Sequence, residues 1–197
     1  MVVPRQKKRG RIVIISGPSG SGKTTLHKAL LESPTLKGKL VKSISATTRS
    51  PRPGEKSRRD YIFLKKEDFA SKIKTGYFLE WQQVFENYYG TPKEHVLRLL
   101  EKGKHVLLCI DVKGAKVIAR EFPDALKIFI KTPTIKILKE RLRQRASETH
   151  ESLGLRLKVA REELKEAKHY DEVVINGRLG KACARLEQIV RRALMID

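Results

Sequence analysis

The chain is 197 residues long, which gives room for one domain with a sizeable core. Apolar residues make up 40% and charged residues 33%, which excludes a disordered chain, and no apolar run approaches the roughly 18 residues of a membrane helix. The 43 Lys and Arg against 22 Asp and Glu leave a net charge of +21, which draws polyanions and makes nucleotides and nucleic acid candidate partners.

The chain opens with Arg5, Lys7, Lys8, Arg9 and Arg11, with no long apolar stretch or small-residue cleavage site behind them. A solvated tail is expected there rather than a signal peptide. The β-branched run over residues 11–17 predicts a buried strand that stops at a glycine-rich turn, followed by a helix from 23 to about 32. Residues 39–45 predict a second strand. The string Thr47-Thr-Arg-Ser-Pro-Arg-Pro-Gly-Glu55 holds two prolines and a glycine, so a basic irregular loop is expected. Strand 61–64, helix 66–75 and strand 77–84 come next. Elements between about 43 and 92 are shorter and more mixed than their flanks, which suggests an inserted subdomain.

Pro92 suits the first position of a helix running to about 102. Strand 104–111, helix 114–122, strand 125–131, helix 134–145 and a long charged helix 148–168 follow. Strand 172–175 and an amphipathic helix 179–193 close the chain. Strands alternating with helices imply an α/β fold with a mostly parallel sheet covered on both faces. Cys109 and Cys183 make neither a disulfide framework nor a metal-ligand spacing, and two reduced thiols fit a reducing compartment. The charge comes without a recognition-helix motif, zinc finger or aromatic RNA-binding signature, so nucleic acid is not an expected partner.

Gly17-Pro-Ser-Gly-Ser-Gly-Lys-Thr24 fills the pattern G-x-x-x-x-G-K-[ST] between a predicted strand and a predicted helix. Its glycines let backbone N–H groups wrap a phosphate, and the helix N-terminus adds partial positive charge. The expected ATP-binding residues are Gly17, Pro18, Ser19, Gly20, Ser21, Gly22, Lys23, Thr24 and Thr25. Lys23 supplies a cation to the β- and γ-phosphates, and the Thr24 hydroxyl suits Mg²⁺. The loop points to ATP or GTP and does not name an acceptor.

Other strings carry more. They are Ser45-Ala-Thr-Thr-Arg-Ser-Pro-Arg-Pro-Gly-Glu55, Asp60-Tyr61-Ile-Phe63, Gly76-Tyr-Phe-Leu-Glu80-Trp81 and Asn87-Tyr-Tyr-Gly-Thr91. Ile110-Asp-Val-Lys-Gly114 and Arg141-Leu-Arg-Gln-Arg145, with Arg156 eleven residues on, complete them. In this order, from about residue 11 to 195, the chain closely resembles guanylate kinase. The resemblance implies a P-loop NTPase-type parallel sheet core flanked by helices, at about 10–42, 93–133 and 157–197. It also implies a GMP-binding subdomain at about 43–92 and a mobile lid at about 134–156. The implied activity is transfer of the γ-phosphate of ATP to GMP, and also dGMP, with Mg²⁺, in a cytoplasmic monomer or homodimer serving purine nucleotide metabolism.

Guanine presents two adjacent donors, N1–H and the 2-amino group, beside the acceptor O6, so a carboxylate suits the first edge and hydroxyls the second. By resemblance, Glu80 takes the donor edge, with Ser45 and Thr91 near O6. Arg49 and Arg52, three apart on a proline-stiffened loop, suit the acceptor phosphate. The resemblance adds the hydroxyls of Tyr61 and Tyr89 there. Arg141 and Arg145 share one helix face, while Arg143 points elsewhere. The resemblance implies that Arg141, Arg145 and Arg156 clamp donor phosphates and the moving phosphoryl group, and with Lys23 and Arg49 they form the expected catalytic set. Asp111 either organises Mg²⁺ with Thr24 or caps the following helix, and Asn176 matches a position near the donor nucleotide. A peptide-binding relative without catalysis is disfavoured, because such modules tend to lose the loop that Lys23 and Thr24 retain here. Two positions depart from the pattern: Cys109 stands where the family often has an acidic residue, and Arg58 where it usually has glycine.

Overall fold

The computed structural model describes residues 9–144 and 150–196. In chain order the elements are β1 (Ile12–Ser16), α1 (Lys23–Glu32), β2 (Leu40–Lys42), β3 (Ala46–Thr47), β4 (Ile62–Phe63), α2 (Lys66–Lys74), β5 (Phe78–Val84) and β6 (Asn87–Pro92). They continue with α3 (Lys93–Glu101), β7 (His105–Cys109), α4 (Val112–Glu121), β8 (Leu126–Lys131), α5 (Ile135–Gln144), α6 (His150–Lys165), β9 (Glu172–Ile175) and α7 (Leu179–Leu194).

All five residues of β1 are buried, as a strand covered on both faces requires. It pairs in parallel with β7 on one side and β8 on the other, and the full order is β2-β7-β1-β8-β9. Alternation sends Val13 and Ile15 toward Leu26 and Leu30 of α1 and Leu186, Ile189 and Val190 of α7. Ile12 and Ile14 face Val96 and Leu100 of α3 and Ala115 and Ile118 of α4. The carboxyl ends of β1, β7 and β9 therefore bring Gly17, Asp111 and Asn176 to one edge, where α/β sheets bind ligands.

A second sheet, ordered β4-β3-β6-β5, lies within residues 46–92. Its core is Ala46, Phe69 and Phe78, with the two phenyl rings stacked at 4.5 Å. Helices α5 and α6 have a separate core of Leu138, Leu142, Leu153 and Ala160. No helix among the described residues is long and apolar enough to cross a membrane.

The α/β architecture and parallel sheet agree with expectation, and several bounds differ for physical reasons. The strand expected over 39–45 ends at Lys42, because the chain leaves the first sheet and pairs again only at Ala46 in the second. Strand β6 has no counterpart in the sequence reading, which passes from strand 77–84 to the helix after Pro92; pairing with β5 and β3 holds the segment extended. Pro92 ends that strand and flanks α3 at its N-cap instead of opening the helix. Helix α4 begins two residues early, since the Asp111 carboxylate accepts the Gly114 amide at 2.7 Å and caps it. The long charged helix ends at Lys165 and gives way to a 3-10 turn, Glu166–His169.

Arg58 sits at φ 60 and lies exposed, and its side chain is not part of the lining of the cleft described below. A side chain in the left-handed region costs about 1 kcal/mol that glycine avoids. Arg58→Gly is therefore expected to raise the melting temperature by roughly 2–4 °C without changing GMP kinetics, as calorimetry and steady-state assay would show.

Candidate active site

A cleft of about 230 Å³ runs from the glycine-rich turn to the second sheet. At one end it is lined by Gly17, Ser19, Gly20, Gly22, Lys23 and Thr24. The turn needs its glycines where the chain is crowded. At Gly17, φ 135, an added Cβ would lie 2.1 Å from the Ile130 carbonyl. At Gly22, φ 89, it would lie 2.1 Å from Asn176 Nδ2. The Lys23 ammonium donates to the Gly17 and Pro18 carbonyls, at 2.5 and 3.0 Å, which ties the cation into the loop.

Asn176 is buried behind the loop, not in the cleft, and donates from Nδ2 to the Ser21 carbonyl at 2.8 Å. Arg141 donates to the backbone carbonyl of Asn176 at 3.0 Å. Both brace the loop from outside. Leu138 and Leu142 of α5 stand 3.2 Å from where a Gly20 side chain would be, so α5 rests on the same turn. Thr25 is exposed beyond the lining, Pro18 contributes its carbonyl, and Ser21 is buried. Arg145 lies outside the described residues.

At the other end stand Ser45, Arg49, Arg52, Tyr61, Glu80 and Tyr89. Glu80 is only 5% exposed. A register shift between Phe78 and Glu80 breaks the alternation of β5, so Phe78, Leu79 and Glu80 are all buried. The shift helps aim the carboxylate into the cleft. Thr91, fully buried across the ladder, donates its hydroxyl to Glu80 Oε1 at 2.6 Å. Thr91 thus orients Glu80 and does not line the cleft, where a place beside guanine O6 was expected. Burial, opposed by the Thr91 bond and aided by Asp111, pushes Glu80 up to about 7.

Arg49 lies 5.5 Å over the Tyr61 ring, and its Nη2 donates to both carboxylate oxygens of Glu55, at 3.0 and 2.9 Å. Burial resists the Glu55 charge, but the Arg52 amide and the Arg49 guanidinium outweigh it and hold the carboxyl below the usual range. Burial, with Cys109 and Tyr89 nearby, pushes Tyr61 up to about 12, so its hydroxyl remains a donor.

Two groups were missed in the sequence. Glu55 carries no signal of a role in the sequence, although it holds Arg49. Glu163 looks like one more charge on a charged helix, yet it lines the cleft and accepts the Ser19 amide. Burial raises it to about 7 against the pull of Lys23. Arg156, Val159 and Glu163 all line the cleft, and their spacing of three and four was the available signal for one helix face. Arg156 also lies 5.4 Å over the Phe85 ring, at the turn between β5 and β6.

Cys109 lines the cleft with a thiol that burial pushes up against the pull of Lys23 and Lys42, so it stays neutral. Cys109→Asp would place a carboxylate beside those cations. The KM for GMP is expected to fall about fivefold, the equivalent of one added polar contact; an unchanged KM would show that the position is idle.

Asp111 Oδ1 caps α4, which leaves Oδ2 for other partners, and Thr24 lies exposed at the loop. Among the described residues no three His, Cys, Asp or Glu side chains gather as a metal cage. One hydroxyl and one carboxylate fit Mg²⁺ held mainly by substrate phosphates and water.

A phosphate loop at the carboxyl edge of a parallel sheet, facing a pocket with one buried carboxylate and two arginines, defines a nucleotide kinase of the P-loop class. The family model described as guanylate kinase matches residues 9–193. Guanylate kinase of Caldanaerobacter subterraneus subsp. tengcongensis is 44% identical over 93% of this chain and 88% of its own. That of Rubrobacter xylanophilus is 42% identical over 94% of this chain and 95% of its own. The crystal structure of guanylate kinase from Anaplasma phagocytophilum superposes with a TM-score of 0.80 at 32% identity, covering 96% of this chain and 88% of that one. The chain belongs to the guanylate kinase family.

Proposed function

We propose that the chain transfers the γ-phosphate of ATP to GMP, and also to dGMP, giving ADP and GDP. The observation that carries this is one cleft lined at one end by the phosphate loop and at the other by buried Glu80. Donor phosphates sit on the loop amides with Lys23. The GMP base sits against Glu80 and Ser45, and its phosphate between Arg49, Arg52, Tyr61 and Tyr89. The second sheet receives GMP, and residues of about 134–156 close over both substrates.

Thr24 and Asp111 would hold Mg²⁺, which offsets negative charge on the donor phosphates when bound. No residue needs to act as a general base, because the GMP phosphate is already anionic. Positioning and fixed positive charge carry the rate. Arg49, held by Glu55, and Arg156, stacked on Phe85, enter the cleft pre-oriented, so little rotamer freedom is lost on binding. Two free thiols suit a cytoplasmic enzyme.

The test is ADP release from ATP with GMP, AMP, CMP or UMP. Robust turnover is expected with GMP alone. Turnover with AMP and none with GMP would overturn the acceptor.

A further inference from the structure

Ile110-Asp-Val-Lys-Gly114 ends on a glycine to which the phosphate chemistry gives no task. Gly114 lies in the first turn of α4 and is not among the glycines at positive φ. The backbone there accepts any residue, and alanine would be the better helix former. The demand for glycine comes from a neighbour. A Cβ at 114 would lie 2.6 Å from Glu80 Oε2 and 3.1 Å from Glu80 Cδ.

Glu80 is therefore held on two sides. Thr91 takes Oε1 at 2.6 Å, and the bare α-carbon of Gly114 leaves room for Oε2. The turn itself is fixed, because the Gly114 amide donates to Asp111 Oδ1 at 2.7 Å. A methyl group added to this turn cannot readily move the backbone. What moves is the far end of Glu80.

We propose that Gly114 is a specificity-determining positioning residue for the acceptor base: its missing side chain forms the seat that turns the Glu80 carboxylate toward a 2-aminopurine. The proposal rests on Glu80 as the reader of guanine. Gly114→Ala keeps the fold and displaces the carboxylate. The KM for GMP rises about tenfold or more, the scale of one lost charge-assisted contact. The KM for ATP stays within about twofold, since the phosphate loop is untouched. Preference for GMP over IMP, which lacks the 2-amino group, falls.

The experiment compares Gly114→Ala, Glu80→Gln, Glu80→Asp and the double variant Gly114→Ala/Glu80→Asp by steady-state kinetics with GMP and IMP, alongside melting temperatures. Shortening Glu80 by one methylene makes space for the new methyl. The double variant is expected to bind GMP better than Gly114→Ala alone, although Glu80→Asp by itself weakens binding. A purely structural role for the glycine would not produce this rescue. Unchanged GMP kinetics in Gly114→Ala, with a raised KM in Glu80→Gln, would overturn the seat and leave the Glu80 reading standing. Unchanged kinetics in Glu80→Gln would overturn that reading. A loss of more than about 5 °C in melting temperature for Gly114→Ala would make the glycine structural and end the proposal.

Discussion

Lys23→Ala is expected to lower kcat at least about 10²-fold while leaving the fold intact. The ammonium stands at the start of α1, at the end of the cleft where the loop amides converge. In the proposed transfer it meets the charge that develops between the β- and γ-phosphates, and a cation already mounted on the loop needs no reorganisation to do so. Its bonds to the Gly17 and Pro18 carbonyls also tie the loop across the site. Truncation therefore removes a transition-state contact and loosens its mount. The surroundings survive, because Leu26 and Leu30 anchor α1 in the core and Asn176 still holds Ser21. Circular dichroism should match the parent protein, and single-turnover ADP formation should nearly vanish. An unimpaired variant would break the mechanism.

Glu80→Gln is expected to cost about 10²–10³ in kcat/KM for GMP and to make the protein more stable at neutral pH. Guanine offers two donors, and glutamine replaces one acceptor with a further donor. A donor then faces a donor in a buried pocket, which costs several kcal/mol where water cannot substitute. The KM for ATP should hardly change. The stability gain follows from the raised pKa. The folded state keeps a proton on Glu80 up to a pH of about 7, whereas the unfolded chain loses it near the ordinary carboxylate value of 4.5. Between those values the native state binds more protons, so stability falls as pH rises. The fall attributable to Glu80 is about 3 kcal/mol by pH 8. Glu163, raised to about 7 as well, adds a decline of the same sign. In Glu80→Gln the pH dependence of unfolding between 5 and 8 should flatten by the Glu80 share. An unaltered slope would mean that the carboxylate is ionised in the folded protein, and the reasoning about its burial would fail.

Much of this site was legible in the chain because its signals are local. A β-branched run, a glycine turn and a helix start stand in contiguous order, and each acts on its own backbone. Arg49 and Arg52 are read from a short proline-stiffened loop in the same way. Glu55 escaped notice because a glutamate in a basic loop looks like ordinary surface; only the folded loop turns it onto Arg49. Glu163 escaped for a related reason: its helix packs an apolar face on α5, and the adjoining face meets the cleft only once α6 is laid across it.

By itself the sequence determined the alternating α/β order and the phosphate loop, since backbone preference and short-range spacing are encoded residue by residue, while the acceptor-pocket residues were legible only through the resemblance of whole strings to a family. Only the tertiary structure decided that β6 forms, that Thr91 bonds Glu80, that Asn176 braces the loop from behind, and that Gly114 borders Glu80. Those outcomes depend on groups far apart in the chain, such as Glu80 and Gly114 on β5 and α4, whose contact exists only after β5 packs against α4. Burial then sets the charge state of Glu80, and burial belongs to the fold, not to the residue.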